Sequence, residues 1–477
     1  MAARDAGLPV LHRSEALAAT MAGHRVVTVA GTHGKSTTTS MVAVLLKEAG
    51  LDPSFAIGAN VPALGVNAAH GGASDIFVAE ADESDGSFLN YRPLIAVVTN
   101  VEADHLDHYG TPEAVFASFD AFAALLPADG VLLACADDPP GARAWRSAQR
   151  PRGTTRVLTY GTSDDANVRL HDDGPGNVSV AYNGDVNKLE LQVPGRHNAL
   201  NAAAAFAVAV ELGVEPGAAA AALGHFTGAS RRFELKGIGR GVRVYDDYAH
   251  HPTEVRAALS AARSVAAGNK VHVLFQPHLF SRTREFSQEF AAALDLADTA
   301  MVLDIYPARE DPPIPGVTST LITEHLVNGR LVSADEAVDA VAAVASEGDV
   351  VLTVGAGDVT AYGPLIVERW VASTRKPTFK PATAPPRRSK AGRPRGGDSA
   401  EVISAQRSVE PEAKAPRRNR QPLQNPQAVA PRPLAGPPKT ARPCRRTTSL
   451  PFLSRRSAAS GDSCSGRFRL WPLWSVL

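Results

Sequence analysis

A glycine-rich turn carrying a lysine lies near the start of the chain and follows a run of apolar residues. The run covers residues 26–30, and the turn consists of Gly31, Thr32, His33, Gly34, Lys35, Ser36 and Thr37. Because glycine has no Cβ, this backbone can turn sharply and approach a ligand closely. Lys35 can pair with the β- and γ-phosphates of a nucleotide, and the hydroxyl of Ser36 or Thr37 can bind Mg²⁺. The strand–turn–helix order predicts the phosphate loop of an ATP- or GTP-dependent enzyme, with an ordinary strand–helix turn as the alternative because only two residues separate the glycines.

Carboxylates and histidines follow the next two apolar runs, at residues 76–79 and 95–98. The first run is followed by Glu80, Asp82, Glu83 and Asp85, and the second by Glu102, Asp104, His105, Asp107 and His108. In an open parallel sheet, ligands bind outside the carboxyl ends of the strands. Oxygen and imidazole ligands beside a phosphate loop are suited to one or two Mg²⁺ ions. These residues therefore predict a metal site at that edge, with a solvent-exposed acidic loop as the alternative.

Two amides and two arginines stand out in the middle of the chain. Asn198 and Asn201 lie three residues apart on a predicted helix, so both side chains face one way. They could contact a nucleotide base or ribose, or could cap or flank the helix. Arg231 and Arg232 fall between two predicted α/β units, where an arginine could clamp a phosphoryl group when the units close. A surface arginine in a linker is the alternative.

A dense polar cluster follows a predicted strand at residues 242–245. The cluster contains Asp246, Asp247, Tyr248, Ala249, His250 and His251. Its position at the carboxyl end of a strand favours a binding site over an ordinary turn. After the next strand comes a second polar group, which contains Gln276, His278, Arg282 and Arg284. The arginines of this second group suit the binding of a carboxylate.

Repeated alternation of apolar runs and helical segments predicts an α/β protein with two sheet domains. The units, in chain order, are a polar lead-in at 1–24, a central domain at 25–228, a Rossmann-like domain at 229–372 and a basic tail at 373–477. The central domain has a mostly parallel sheet of the phosphate-loop type, with a small antiparallel insertion at 155–193. The strands predicted for the second domain are 242–245, 271–275, 301–305 and 350–354.

The charge of the chain is unevenly distributed although its formal net charge is zero. Residues 373–477 contain 22 Lys and Arg against 5 Asp and Glu, which leaves 27 against 44 in the first 372 residues. The tail is rich in Pro, Arg and Ser and poor in large aliphatic residues, so it cannot bury enough apolar surface to offset the entropy of ordering. We therefore expect residues 373–477 to be disordered.

Cysteine usage and hydropathy indicate a cytoplasmic protein that has no membrane segment. Cys135, Cys444 and Cys464 show no paired spacing, which argues against a disulfide framework or a structural zinc site. The N-terminus has no apolar signal segment, and no apolar run approaches the length of a membrane span.

Nine strings, taken in order, make residues 8–372 resemble the Mur ligase family. They are GTHGKSTTTSM from Gly31, EADESDGSFL from Glu80, TNVEADH from Thr99, GRHNALNA from Gly195, RRFE from Arg231, DDYAHHPTE from Asp246, FQPHLFSRTR from Phe275, YPARED from Tyr306 and GAGD from Gly355. Within the family, DESDGSF favours the members that add L-alanine over those that recycle whole tripeptides.

The resemblance implies an ATP-dependent ligase of peptidoglycan precursor synthesis. Its substrates would be UDP-N-acetylmuramate and L-alanine, joined through an acyl phosphate of the lactyl carboxylate. Matched by position, Lys35 would hold the β- and γ-phosphates of ATP. The implied Mg²⁺ ligands are Ser36 or Thr37, Glu80 and His105.

The resemblance also implies which other side chains meet the substrates. Besides the loop from Gly31 to Thr37, the implied ATP contacts are Asn198, Asn201, Arg232 and Asp247. Tyr248, His250 and Arg282 are the candidates for the alanine pocket. The group that deprotonates the amine stays unassigned, as does the oligomeric state.

Two segments depart from the family pattern. Family members begin with a UDP-binding domain, and the resemblance here starts at the last few residues of that domain. We therefore expect the domain to be missing, either because Met1 is an internal methionine or because the gene is truncated, and we expect activity to be reduced or lost. Residues 380–477 have no counterpart in the family and could be a basic linker or a frame-shifted reading.

Two other functions stay open on the sequence alone. One is another amino-acid ligase of the same superfamily, of the tripeptide-recycling or folylpolyglutamate type. The other is an inactive remnant whose basic tail binds nucleic acid. Nucleic-acid binding is the less favoured, because the aromatic residues of the tail cluster at its extreme end and do not interleave with the basic ones.

Overall fold

The fold is given by a computed structural model that describes residues 5–7, 10–72, 74–138, 155–172, 177–310 and 312–374. The helices are α1 Arg13–Thr20, α2 Lys35–Glu48, α3 Leu106–Tyr109, α4 Pro112–Ala123, α5 Arg196–Glu211, α6 Pro216–Leu223, α7 Pro252–Ala266, α8 Phe280–Glu285, α9 Ser287–Leu294, α10 Thr320–Thr323, α11 Ala337–Val344 and α12 Tyr362–Thr374. None of the helices in these ranges is both long and apolar enough to cross a membrane. Residues 1–382 form one compact unit, and a second unit, 383–477, lies outside the described residues. Of the tail predicted to be disordered, residues 373 and 374 belong to α12, and the rest lies outside the described residues.

Sixteen strands occur in the described residues, and they form two sheets. Those of the first sheet are β1 Arg25–Ala30, β2 Ser54–Ala56, β3 Ala68–Ala69, β4 Ile76–Glu80, β5 Ile95–Val98, β6 Val131–Cys135, β7 Arg156–Gly161, β8 Val168–Asp172, β9 Val178–Tyr182 and β10 Asp185–Leu189. Those of the second are β11 Glu234–Gly239, β12 Val242–Asp247, β13 Val271–Phe275, β14 Thr299–Val302, β15 Gly329–Leu331 and β16 Val350–Val354.

The first sheet has the order β10-β9-β8-β7-β6-β5-β1-β4-β2-β3. Along this order, every pair of neighbouring strands between β8 and β2 is parallel. Strand β1 lies at its centre, where Val27 pairs with Val78 of β4 on one side and with Ile95 of β5 on the other. Unbroken apolar runs form these strands because both faces of the sheet are covered. The carboxyl ends of β1, β4 and β5 therefore lie side by side, as the sequence predicts.

Helices cover both faces of the first sheet. Helix α2 packs against α5 on one face, in a core that contains Met41, Leu45 and Phe206. On the other face, Phe88 stacks on Phe122 of α4 with ring centroids 4.9 Å apart. Each such fully buried side chain contributes about 1.5–3 kcal/mol. This packing fixes the start of α2, and with it the turn that follows β1.

The segment at 155–193 differs in detail from the sequence prediction. Strand β7 pairs in parallel with β6, and only the pairs β8–β9 and β9–β10 are antiparallel. The segment extends the main sheet by hydrogen bonding to its edge, which the local alternation of residues does not reveal. The polar lead-in at 1–24 also contains a helix, α1, whose only buried residue is Ser14. With so little apolar burial, its sequence has no marked helical periodicity.

The second sheet has the order β11-β12-β16-β13-β14-β15, parallel except for β11 at the edge. The predicted strands at 242–245, 271–275 and 350–354 are present, whereas the strand predicted at 301–305 begins earlier, at Thr299. Strands β11 and β15 were not predicted. In β11, Leu235 and Ile238 are exposed on an edge strand, and β15 has three residues, so neither has the apolar run of a buried strand.

Candidate active site

The turn after β1 folds as a tight loop that only glycine accommodates at two positions. Gly31 and Gly34 have φ values of 132° and 84°, in the region that favours glycine. A Cβ on Gly31 would collide with Thr99 Oγ1, and a Cβ on Gly34 would lie 2.9 Å from Asn201 Oδ1. The His33 N–H donates to Asn100 Oδ1 at 2.9 Å, which ties the loop to the end of β5. The predicted strand–loop–helix order is therefore present, and these contacts fix the conformation of the loop that leads into α2.

Lys35 turns back over this loop. Its Nζ donates to the carbonyl oxygens of Gly31 at 2.7 Å and Thr32 at 3.1 Å, and to Glu83 Oε1 at 2.9 Å. Burial lowers the pKa of Lys35, but the attraction of Glu83 and of neighbouring carboxylates outweighs burial, so the pKa lies above its usual value. The lysine is therefore a fixed positive charge at the mouth of the loop, where nucleotide phosphates would approach.

Ser36 and Glu80 meet beside Lys35. Ser36 Oγ donates to Glu80 Oε1 at 2.9 Å, and the N–H of Gly58 holds the other carboxylate oxygen at 2.8 Å. Thr37 is buried in the first turn of α2. The two predicted oxygen donors are thus already oriented together, and this contact favours Ser36 over Thr37 as the hydroxyl ligand.

His105 lies next to Glu83, whereas the hydrogen-bond partners of Glu80 are Ser36 and Gly58. The φ of His105 is 56°, and its Nε2 is 3.8 Å from both Glu83 Oε1 and Asp104 Oδ2. Burial lowers the pKa of His105, aided by Lys35, against the attraction of Asp104. The ring is therefore neutral at pH 7, the state in which imidazole binds a metal. Glu83 Oε2 is buried without a hydrogen-bond partner beside it, which leaves an unused ligand atom.

Arg232 and Asp247 reach this edge from the second sheet. Arg232 Nη2 is 3.5 Å from Ser36 Oγ, and its guanidinium carbon lies 5.0 Å from the centre of the Tyr248 ring. Asp247 accepts the N–H groups of Phe233 and Ala249, each at 2.8 Å. Burial raises the pKa of Asp247 to about 6, against the attraction of Arg232. The arginine therefore points at the phosphate loop, whereas the aspartate orders the backbone around that arginine.

The three candidates for the alanine pocket separate into two groups. The rings of Tyr248 and His250 lie 5.4 Å apart, and the His250 ring is 5.8 Å from that of His278. Arg282 is instead paired with Asp104, with Nη2 3.0 Å from Oδ1. Tyr248 and His250 thus share one aromatic cluster, whereas the charge of Arg282 is already neutralised.

The two predicted amides also have different surroundings. Asn198 Nδ2 donates to the carbonyl oxygen of Pro194 at 2.7 Å and so stabilises the start of α5. Asn201, three residues on, places its side chain against Gly34 of the phosphate loop. Both amides are buried. The expected common direction therefore brings only Asn201 into contact with the loop.

Comparison with known proteins identifies the family. The model of the Mur ligase middle domain matches residues 29–209, and that of the Mur ligase glutamate ligase domain matches residues 231–357. A UDP-N-acetylmuramate–L-alanine ligase of Paenarthrobacter aurescens (strain TC1) is 91% identical over 368 residues, which are 77% of this chain and 80% of that protein. The chain belongs to the Mur ligase family.

Further relatives agree with this membership. A UDP-N-acetylmuramate–L-alanine ligase of Arthrobacter sp. (strain FB24) is 76% identical and covers 78% of this chain and 79% of its own length. The solved structure of the UDP-N-acetylmuramate–alanine ligase from Thermotoga maritima matches with a TM-score of 0.62 and 28% identity, covering 78% of this chain and 82% of that one. The predicted α/β fold and the prediction of a ligase are confirmed, while the roles of single residues stay predictions.

Two carboxylates of this Mur ligase have positions that sequence reasoning missed. Glu83 is almost fully buried and lies between Lys35 and His105. In the sequence it is only one of several acidic residues that follow β4, and nothing distinguishes it from the others. Glu254 lies in the first turn of α7 and is 3.1 Å from both His33 Nδ1 and His250 Nδ1. A glutamate after His-Pro-Thr is typical of a helix start, so no local signal indicated the contact with the phosphate loop.

Proposed function

We propose that this Mur ligase joins L-alanine to the lactyl carboxylate of UDP-N-acetylmuramate, with ATP as the energy source, in peptidoglycan precursor synthesis. Relatives of 91% and 76% identity bear the names of both substrates. The observation that carries the proposal is the meeting of Lys35, the Ser36–Glu80 pair and Arg232 at one sheet edge. Positive charge there is suited to bringing two anions, a carboxylate and a triphosphate, together.

The site residues fit ATP and Mg²⁺. The loop from Gly31 to Thr37 runs into the first turn of α2, where the backbone N–H groups of Lys35, Ser36 and Thr37 and the helix dipole would attract phosphate. Ser36 and Glu80 are paired oxygen donors, and His105 is a neutral imidazole beside the unused Glu83 Oε2, so these residues would hold Mg²⁺. Bound there, Mg²⁺ would neutralise phosphate charge and make the γ-phosphorus more electrophilic.

The proposed reaction has two steps. A carboxylate oxygen of UDP-N-acetylmuramate attacks the γ-phosphorus of ATP, the bond to ADP breaks, and an acyl phosphate forms. The neutral amine of L-alanine then attacks the acyl carbon, phosphate leaves with one original carboxylate oxygen, and the amine loses a proton. Lys35 and Arg232 stabilise the charge of the transferring phosphoryl group, and both are already held in position by Glu83 and Tyr248. We place the alanine near Tyr248 and His250.

The test is phosphate release by the purified full chain with ATP, Mg²⁺ and UDP-N-acetylmuramate, with and without L-alanine. We expect release that depends on L-alanine, and we expect Lys35→Met to lower kcat/KM by at least about 100-fold. Lys47→Met, an exposed lysine at the end of the same helix, is the matched control and should be neutral.

Three outcomes would contradict this proposal. Release that depends on a tripeptide and not on L-alanine would favour a recycling ligase. Release that depends on glutamate and a folate would favour the folylpolyglutamate type. No release with any acceptor would favour the inactive alternative.

A further inference from the structure

Two histidines and a glutamate converge where the phosphate loop meets the second sheet. His33 belongs to the loop, Glu102 follows β5, and His251 is the residue before α7. Glu102 Oε2 lies 3.5 Å from His33 Nε2 and 3.7 Å from His251 Nδ1. The three atoms all lie within 4.8 Å of one another. One small ion placed between them would therefore touch all three.

Both imidazole nitrogens that face Glu102 are buried and lie within ion-pair distance of its carboxylate, yet neither makes a hydrogen bond. They are His33 Nε2 and His251 Nδ1, and His251 is only 6% exposed. A buried polar atom that makes no hydrogen bond is unfavourable. Two such atoms directed at one carboxylate oxygen indicate that a ligand completes the cluster.

We propose that His33, Glu102 and His251 form a binding site for a divalent transition-metal ion of the zinc class. With metal–ligand bonds of about 2.0–2.1 Å, tetrahedral ligand atoms lie roughly 3.4 Å apart. The two distances to Glu102 are close to that value. Three protein ligands leave one position open for water or a substrate group.

The surroundings of the cluster orient its ligands as such a site requires. Metal-binding histidines typically donate their other N–H to a carboxylate. His33 Nδ1 has this partner in Glu254 Oε1, 3.1 Å away. Thr253 Oγ1 donates to Glu102 Oε2 at 2.8 Å and fixes the carboxylate. Glu102 and His33 come from the side of the first sheet and His251 from the side of the second, so a bound ion would tie the phosphate loop to α7.

The ligand types separate this site from the Mg²⁺ site. Two imidazoles with one carboxylate suit Zn²⁺ or Co²⁺, whereas Mg²⁺ prefers oxygen donors. Ser36 and Glu80 are not among the three ligands. The inference goes beyond the proposed ligase reaction, since binding is measured without nucleotide or substrate and its failure would leave the reaction unaffected.

The test is a Co²⁺ titration of the full chain, free of any histidine tag, followed by visible absorption and calorimetry. We expect one Co²⁺ per chain with the absorption of a low-coordinate nitrogen–oxygen site. Zn²⁺ should displace it, and Mg²⁺ in large excess should not. Glu102→Gln and His251→Gln should each weaken binding at least about tenfold, with circular dichroism confirming that the variants fold.

His225→Gln is the matched control because it removes a histidine that is paired with Glu48 on the surface. It should leave Co²⁺ binding unchanged. The proposal is wrong if saturable one-to-one binding is absent, if Mg²⁺ displaces Co²⁺ as readily as Zn²⁺ does, or if both cluster variants bind Co²⁺ like the parent. Equal weakening by His225→Gln would equally overturn it, since binding would then depend on surface histidines.

Discussion

Asp104, in the loop after β5, and Arg282 of α8 form a buried ion pair, with Arg282 Nη2 3.0 Å from Asp104 Oδ1. Their side chains are 11% and 8% exposed. Burial alone would raise the pKa of Asp104, but the Arg282 guanidinium and the backbone N–H of His105 hold it well below its usual range. The pair fixes the peptide that carries His105, so the geometry of the proposed metal-binding edge depends on a residue of α8.

Breaking this pair should destabilise the protein. Asp104→Asn leaves the Arg282 charge buried without its partner, and we expect a loss of about 3–5 kcal/mol in the free energy of unfolding. Asp107→Asn removes a comparable pair with Arg309 that is more than 60% exposed, and it should cost less than about 1 kcal/mol. Urea unfolding of both variants measures the difference in the free energy of unfolding. Equal losses in the two variants would contradict the claim that the buried pair of Asp104 and Arg282 stabilises the fold more than the exposed pair does.

The pH dependence of stability should reveal Asp247. Because its pKa is raised from 3.8 to about 6 in the folded protein, the folded state keeps a proton that the unfolded state has lost between these values. Its contribution to stability therefore falls as pH rises from about 4 to 6, by on the order of 1–3 kcal/mol. Asp247→Asn lacks this titration, so its destabilisation relative to the parent should shrink over that window. A difference that is constant with pH would refute the raised pKa.

Gly34 should be needed for nucleotide binding, and not only because glycine readily adopts its positive φ. Gly34→Ala places a Cβ 2.9 Å from Asn201 Oδ1 at a φ of 84°, whereas Gly50→Ala has nearly the same φ, 81°, and open space. We expect both to lose about 1 kcal/mol of stability. Only Gly34→Ala should also weaken ATP binding, by at least about tenfold, as measured by calorimetry. Loss of affinity in Gly50→Ala, or its retention in Gly34→Ala, would count against the loop assignment.

Ser36 and Thr37 should differ in their effect on the Mg²⁺ requirement. Ser36 Oγ is hydrogen-bonded to Glu80, so Ser36→Ala removes an oriented donor and should raise the Mg²⁺ concentration for half-maximal activity about tenfold or more. Thr37→Ala is the matched control and should shift it little. Activity measured over a series of Mg²⁺ concentrations distinguishes the two residues. A larger shift for Thr37→Ala than for Ser36→Ala would show that Thr37 is the hydroxyl ligand.

The elements of the site could be predicted from sequence because their signals are local. Apolar runs define β1, β4 and β5, and the glycine turn defines the phosphate loop. The contacts of Arg282 with Asp104 and of Glu254 with His33 could not, since they join residues 178 and 221 positions apart. Such pairs depend on how the two sheets pack. Composition also could not show that Glu83, one acid among several, is the buried one.

The most direct test of the proposed reaction follows oxygen. UDP-N-acetylmuramate with both lactyl carboxylate oxygens labelled by ¹⁸O is incubated with the chain, ATP, Mg²⁺ and L-alanine, and the released phosphate is analysed by mass spectrometry. The account predicts one ¹⁸O per phosphate and one amide per ADP, because the leaving phosphate carries an original carboxylate oxygen. Unlabelled phosphate, or ADP formed without amide, would contradict it.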